Sequence, residues 1–162
     1  MRIAGVLGRV GAEGVDHGLT LAAPVDDVWA ALVEPDRAAA WLGRLEPGPQ
    51  RAGDRFAVRH DGTTTSEHTV VTWAPGRRLE LTWEFPGEQP SRLAVALAPT
   101  AAGTRLALRH TGLEDPVAYA AGWHRHLEHL GAHLAGAQGP PAWAGYDELV
   151  ERYRVVQTKG EL

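Results

Sequence analysis

The stretch 115–137, DPVAYAAGWHRHLEHLGAHLAGA, constrains this chain more than any other. At about 100° per residue, Trp123, Leu127, Leu130 and Leu134 fall on one narrow stripe, whereas Arg125 and Glu128 fall well away from it. An apolar stripe of that length must be buried against something. No other segment sustains a helical period as long, and nearly everything in 43–111 reads as strands that need a helix to cover them. The expectation is an α+β fold, in which a curved antiparallel sheet wraps one long C-terminal helix and leaves a cavity beside it.

Reading from the start, residues 2–10 and 18–22 are short apolar segments around a Gly, Asp and His linker, which predicts a first strand, or one in two pieces with a bend. Pro24 suits a first helical turn, and Asp26 and Asp27 place negative charge at the positive end of the helix dipole. Val25, Val28, Trp29 and Leu32 give that helix its apolar face. Pro35 closes it and opens a second short helix over 36–42. Strand texture follows: a short run at Leu45, then 54–60 and 64–73 around the hairpin signal Asp61-Gly62, then a turn at Pro75-Gly76. In 77–85 the alternation puts Leu79, Leu81, Trp83 and Phe85 on one face; Leu93, Val95 and Leu97 repeat it, as do Leu106, Leu108 and His110. Asp115-Pro116 reads as an N-cap followed by proline at the first helical position, and 146–156 as a last short amphipathic helix. No internal repeat or linker interrupts the 162 residues, so a single domain over 1–162 is expected.

Composition excludes several classes of function. The 16 Lys and Arg against 20 Asp and Glu give a net charge of -4 without any basic block, so no nucleic-acid or anionic-membrane footprint is present. Zero cysteines remove disulfide scaffolds, thiolate metal sites and a cysteine nucleophile. Arg9 breaks the opening apolar run too early for a signal peptide, and no later run approaches the ~18 residues of a membrane span. A soluble, cytoplasmic protein that does not engage membranes is expected.

The order strand, two short helices, antiparallel strands, long C-terminal helix is the helix-grip arrangement. APVDDVWAALVEPDRAAAWLG resembles the opening motif of START-like (SRPBCC) proteins; PGRRLELTWE, GTRLALRHTG and AGWHRHLEHLGAHL resemble their later strand and helix motifs in the right order. The chain is most similar to the bacterial branch resembling the C-terminal domain of activators of the heat-shock-protein-90 ATPase, of which PPAWAGYDELVERY is a typical tail. The resemblance runs from about Gly14 to Tyr153. It implies a hydrophobic cavity between the sheet and the long helix. Members of the superfamily bind lipids, sterols, hormones or polyketides, and a minority cyclise or dehydrate such ligands.

A curved sheet cannot lie flush on a straight helix, so a pocket lined from both is expected, with Trp83, Phe85, Leu97, Leu108, Trp123 and Leu127 as candidate walls. His110, Tyr119 and His124 are the candidate polar contacts within it. His126, His129 and His133 share one flank of the helix, but no carboxylate of that helix joins them and no H-E-x-x-H pattern occurs, so neither a metal nor another cofactor is expected. GRVGAEG lacks the strand-turn-helix context of a dinucleotide loop.

The favoured function is enclosure of a small hydrophobic molecule. One alternative is a polyketide cyclase-like enzyme acting on an aromatic or polyketide-like substrate, for which no catalytic pairing can be placed from the sequence. The other is an interaction module with a chaperone partner; the chain departs from full eukaryotic activators, which carry a separate N-terminal domain, so ATPase stimulation is not expected. No sequence feature decides between a monomer and a homodimer.

Overall fold

The computed structural model describes residues 7–141 and 143–158. Eight strands form one antiparallel sheet in the order β1-β2-β8-β7-β6-β5-β4-β3. The strands are β1 (Gly8–Val10), β2 (Gly14–Leu21), β3 (Arg44–Glu46), β4 (Arg55–Arg59), β5 (Thr65–Ala74), β6 (Arg78–Trp83), β7 (Ser91–Thr100) and β8 (Gly103–Thr111). Two short helices, α1 (Val25–Val33) and α2 (Pro35–Ala38), connect β2 to β3; the long helix α3 (Pro116–Leu134) follows β8, and α4 (Tyr146–Val156) ends the described chain. This is the helix-grip architecture.

The start of the chain differs from the expected bent strand. β1 and β2 form a hairpin, with Val10 opposite Val15, and the supposed Asp and His linker lies inside β2. The reason is visible in the alternation: Val15, His17, Leu19 and Leu21 all point inward, and the polar His17 disguises an otherwise regular strand. The part of that expectation covering residues 2–6 lies outside the described residues. The second helix is also shorter than expected, stopping at Ala38, and Trp41 beyond it is buried with its indole N–H donating to the Ala31 carbonyl at 2.8 Å.

β5 carries a register shift between Val70 and Thr72, the kind of irregularity that bends a strand and sharpens its twist. The sheet curves around α3, whose start is fixed as expected: the Ala118 amide donates to Asp115 Oδ1 at 3.1 Å and Pro116 occupies the first turn. Two apolar clusters result. The larger joins α1, the strands and the stripe Trp123, Leu127 and Leu130; the smaller joins Val10, Val15, Val117, Ala120, Leu149 and Tyr153 between α3, α4 and the first hairpin. Among the described residues no helix is long and apolar enough to cross a membrane.

Candidate functional site

Where the sheet opens away from α3, a cleft of about 430 Å³ remains. One wall is a stripe of α3 made by Ala118, Tyr119, Gly122, Trp123 and His126, whose spacing places them on a single helical face. Two of these five are small. Gly122 has no heavy atom within 4 Å of where a Cβ would stand, so the gap between Tyr119, Trp123 and His126 is open space in the middle of a helix. The opposite wall comes from Trp83 at the end of β6, from Phe85 just beyond it, and from His60, Asp61 and Thr64 at the β4–β5 turn. Leu42, Glu88, Trp143 and Tyr146 complete the rim.

The hydrogen-bond network assigns the proton on each imidazole near the cleft. His68 Nδ1 lies 3.0 Å from the Thr82 carbonyl oxygen, which can only accept, so Nδ1 carries the hydrogen. Burial holds His68 down at about 4, so its Nε2 is bare and accepts a hydrogen bond from the Ser66 hydroxyl at 2.6 Å. Ser66 Oγ must then accept from His60 Nε2 at 2.8 Å. His60, whose pKa burial also lowers, is left with an unprotonated Nδ1. His126 reaches the same condition by another route: its Nδ1–H donates to the Trp41 carbonyl at 2.9 Å, burial lowers it to about 4, and Nε2 is the bare nitrogen. Ser66 and His68 resemble half of a nucleophile-and-base arrangement, but Ser66 is wholly buried and no substrate can reach its hydroxyl.

The donors of Trp83, Tyr119 and Trp123 are already committed. Trp123 Nε1–H donates to His110 Nδ1 at 3.0 Å, so His110 presents its Nε2–H to Ser91 Oγ at 2.8 Å. Trp83 Nε1–H donates to the Tyr119 hydroxyl at 3.1 Å, and that hydroxyl donates to Glu88 Oε1 at 2.5 Å. Burial, then Glu88, raises the Tyr119 pKa well above a free phenol, so it stays neutral. Asp61 is held below the usual carboxylate range because its Oδ1 accepts from the amides of Thr63 and Thr64, at 2.8 and 2.7 Å.

Inside the grip itself little room remains. The space enclosed by Leu32, Phe56, Leu81, Leu108, Trp83 and Trp123 is only about 30 Å³, the share of liquid that one water molecule fills, and its walls are apolar. The usable volume therefore lies at the mouth and not along the concave face.

The sequence model of the family described as activator of Hsp90 ATPase homolog 1-like protein matches residues 22–135. The chain belongs to that family. The match begins just after β2 and runs through α3, and so includes six of the eight strands and the main helix. Solved structures agree on the START-like fold. CalU16 from Micromonospora echinospora is 27% identical over 88% of this chain and 87% of its own, with a TM-score of 0.74. The BPP1335 protein of Bordetella parapertussis is likewise 27% identical, over 95% of this chain and 94% of its own, with a TM-score of 0.74. DynU16, a protein of the dynemicin biosynthetic locus, is 25% identical over 76% of this chain but 47% of its own, with a TM-score of 0.71. No curated protein matches the sequence.

In this protein the residues expected to line one cavity separate into several places. Trp83, Phe85, Tyr119 and Trp123 do meet at the cleft. Leu108 faces the small enclosed space, and His110 stands behind Trp123 and Tyr119, wholly buried. Leu97 and Leu127 are packed in the main core. His124 lies on the far side of α3, where its Nδ1 is hydrogen-bonded to the Tyr153 hydroxyl at 2.7 Å, because one residue beyond Trp123 is a rotation of about 100°. His126 lines the cleft and His129 accompanies it in an adjoining groove, while His129 Nε2–H donates to the Pro140 carbonyl at 2.8 Å. Among the described residues no three or more His, Asp or Glu side chains converge as a metal site. His60, Asp61, Glu88, Gly122, Trp143 and Tyr146 were not expected at the site. Gly122 carried a readable signal, since a glycine amid a strong helical stretch costs about 1 kcal/mol against alanine and calls for a reason.

Proposed function

We propose that this chain binds a small, flat, largely apolar molecule in the cleft at the mouth of the grip. The observation that carries this reading is the gap at Gly122, a helix position left without a side chain where Trp83, Phe85, Tyr119 and Trp123 surround open space. Ligand sites are typically concave and mostly apolar, with few polar groups, and about 430 Å³ falls in their usual range. Membership of a START-like family and similarity to a protein of a biosynthetic locus support a small-molecule role without naming the molecule.

Filling the gap is the test. Gly122→Leu adds a side chain to open space, so the fold should hold while the cleft closes. Titrating naphthylmethanol by calorimetry should give saturable binding to the native chain and a loss of at least about tenfold in affinity in the variant, with the melting temperature kept. Equal binding by both proteins, or no binding of any naphthyl probe by the native chain, refutes the reading.

A further inference from the structure

The polar lining of the cleft is one-sided. His60 Nδ1 and His126 Nε2 are bare acceptors, by the assignment above. Asp61 and Glu88 add two carboxylates, and among the described residues no Lys or Arg lines the cleft. The N–H groups of Trp83 and Trp123 and the hydroxyl protons of Tyr119 and Tyr146 are spent on protein acceptors, the last on the Ala118 carbonyl at 3.0 Å. Apart from the indole N–H of the exposed Trp143 at the rim, what remains toward a ligand is acceptor, backed by aromatic faces.

The surroundings do not reverse that sign. The N-terminus of α3, which would favour an anion, is capped by Asp115. Burial first, then Asp115 and Asp147, raise the Tyr146 pKa, which marks further negative charge beside the rim. The adjoining groove does hold Arg44, Arg59 and Arg125. Each has its own carboxylate: Arg44 pairs with Asp36, Arg59 with Glu46 at 2.8 Å and Arg125 with Glu128 at 3.5 Å.

Resting on the cleft being a ligand site, we propose that it selects a hydrophobic amine, whose apolar body lies between Trp83, Phe85 and Trp123 and whose ammonium group donates to Asp61, Glu88 and the bare imidazole nitrogens. An ammonium carries only donors and a positive charge, the complement of this lining. Aromatic faces also attract cations through the negative face of the ring quadrupole. A carboxylate ligand would instead meet two like charges and two lone pairs.

Three probes built on one ring isomer separate the possibilities: naphthylmethylamine, a cation at neutral pH, naphthylmethanol, which is neutral, and naphthoate, an anion. By calorimetry at low salt the amine should bind about tenfold more tightly than the alcohol, and naphthoate most weakly of the three. In the double variant Asp61→Asn, Glu88→Gln, both exposed positions at which the amides keep an acceptor oxygen, the amine and the alcohol should bind within about twofold of each other. Naphthoate equalling or exceeding the amine, or an amine preference that survives the double variant, overturns the charge selectivity alone. Failure of all three probes overturns the cleft as a ligand site, and this proposal with it.

Discussion

Burial turns four histidines into neutral polar spacers. His17, His68 and His126 are lowered to about 4 and His110 to about 3, in every case chiefly by removal from water. Their neighbours reinforce this, since His124 beside His17 and His60 beside both His68 and His126 disfavour a second positive charge. Each of the four imidazoles lies in a fixed bonding pattern; His110, for example, must accept from Trp123, which an imidazolium cannot do. In the unfolded chain these groups titrate near 6.5, so as pH falls below that value the unfolded state takes up protons that the folded state refuses. Stability should therefore be level above about pH 7.5 and fall steadily from about pH 6.5 to 4, by on the order of 1 kcal/mol per histidine at about pH 5. Urea unfolding at a series of pH values measures this. A midpoint unchanged from neutral pH to about pH 5 would contradict it.

Gly122 gives the opposite kind of residue-scale prediction. Its added Cβ meets nothing, and its backbone is helical, so Gly122→Ala should stabilise the fold by about 0.5–1 kcal/mol. Thermal melting tests it directly. A lower melting temperature would mean that the position is closed, and the argument for a cleft there would go with it.

At the scale of elements, α4 explains what the apolar stripe of α3 could not. Arg125 and Glu128 fall away from that stripe in the sequence, yet both are buried, because α4 and the segment before it cover that side of the helix. Arg125 donates to the Ala144 carbonyl and pairs with Glu128 at 3.5 Å, while its Nε and Nη1 make no hydrogen bond among the described residues, so the covered side is held by an ion pair as well as by apolar contacts. Periodicity reports which residues share a face, but not whether a later element will cover it. β6 and β7 were legible because their inward positions Leu79, Leu81, Trp83, Leu93, Val95 and Leu97 are all apolar; β2 was obscured by His17 in such a position. The site was half legible for a related reason: Trp83, Phe85, Tyr119 and Trp123 are large aromatics at periodic positions, whereas His60, Asp61 and Glu88 come from turns whose placement depends on the whole sheet.

Tyr153 is the pin of α4. Its hydroxyl accepts from the Leu7 amide at 3.0 Å and shares a 2.7 Å hydrogen bond with His124 Nδ1, and the Tyr153 side chain is fully buried. Tyr153→Phe keeps the ring and takes that hydroxyl from the buried His124 imidazole and the half-buried Leu7 amide. It should cost about 1–3 kcal/mol in urea unfolding. A loss below about 0.5 kcal/mol would show that α4 adjusts freely on α3.

For the whole molecule, the question is whether the two apolar clusters fold as one. They share α3: Trp123, Leu127 and Leu130 belong to the larger, Val117, Ala120 and Ala121 to the smaller, and Tyr119 touches both. The far end of the described chain is also tied back, since the Thr158 amide and the Gln157 side chain donate to the carbonyls of Val10 and Gly11 at 2.8 and 3.0 Å, and β1 is itself paired to β2. Unfolding α4 alone would therefore strip the polar flank of α3 and loosen the first hairpin at once. We expect one cooperative transition for the whole chain. Five of the six tryptophans pack in or against the larger cluster, so their fluorescence reports chiefly on the grip, while far-ultraviolet circular dichroism also counts α4. The two signals should trace the same urea curve. If dichroism falls before fluorescence, α4 and the first hairpin detach as a separate unit, and the cleft, whose rim includes Trp143 and Tyr146, would then open and close with them.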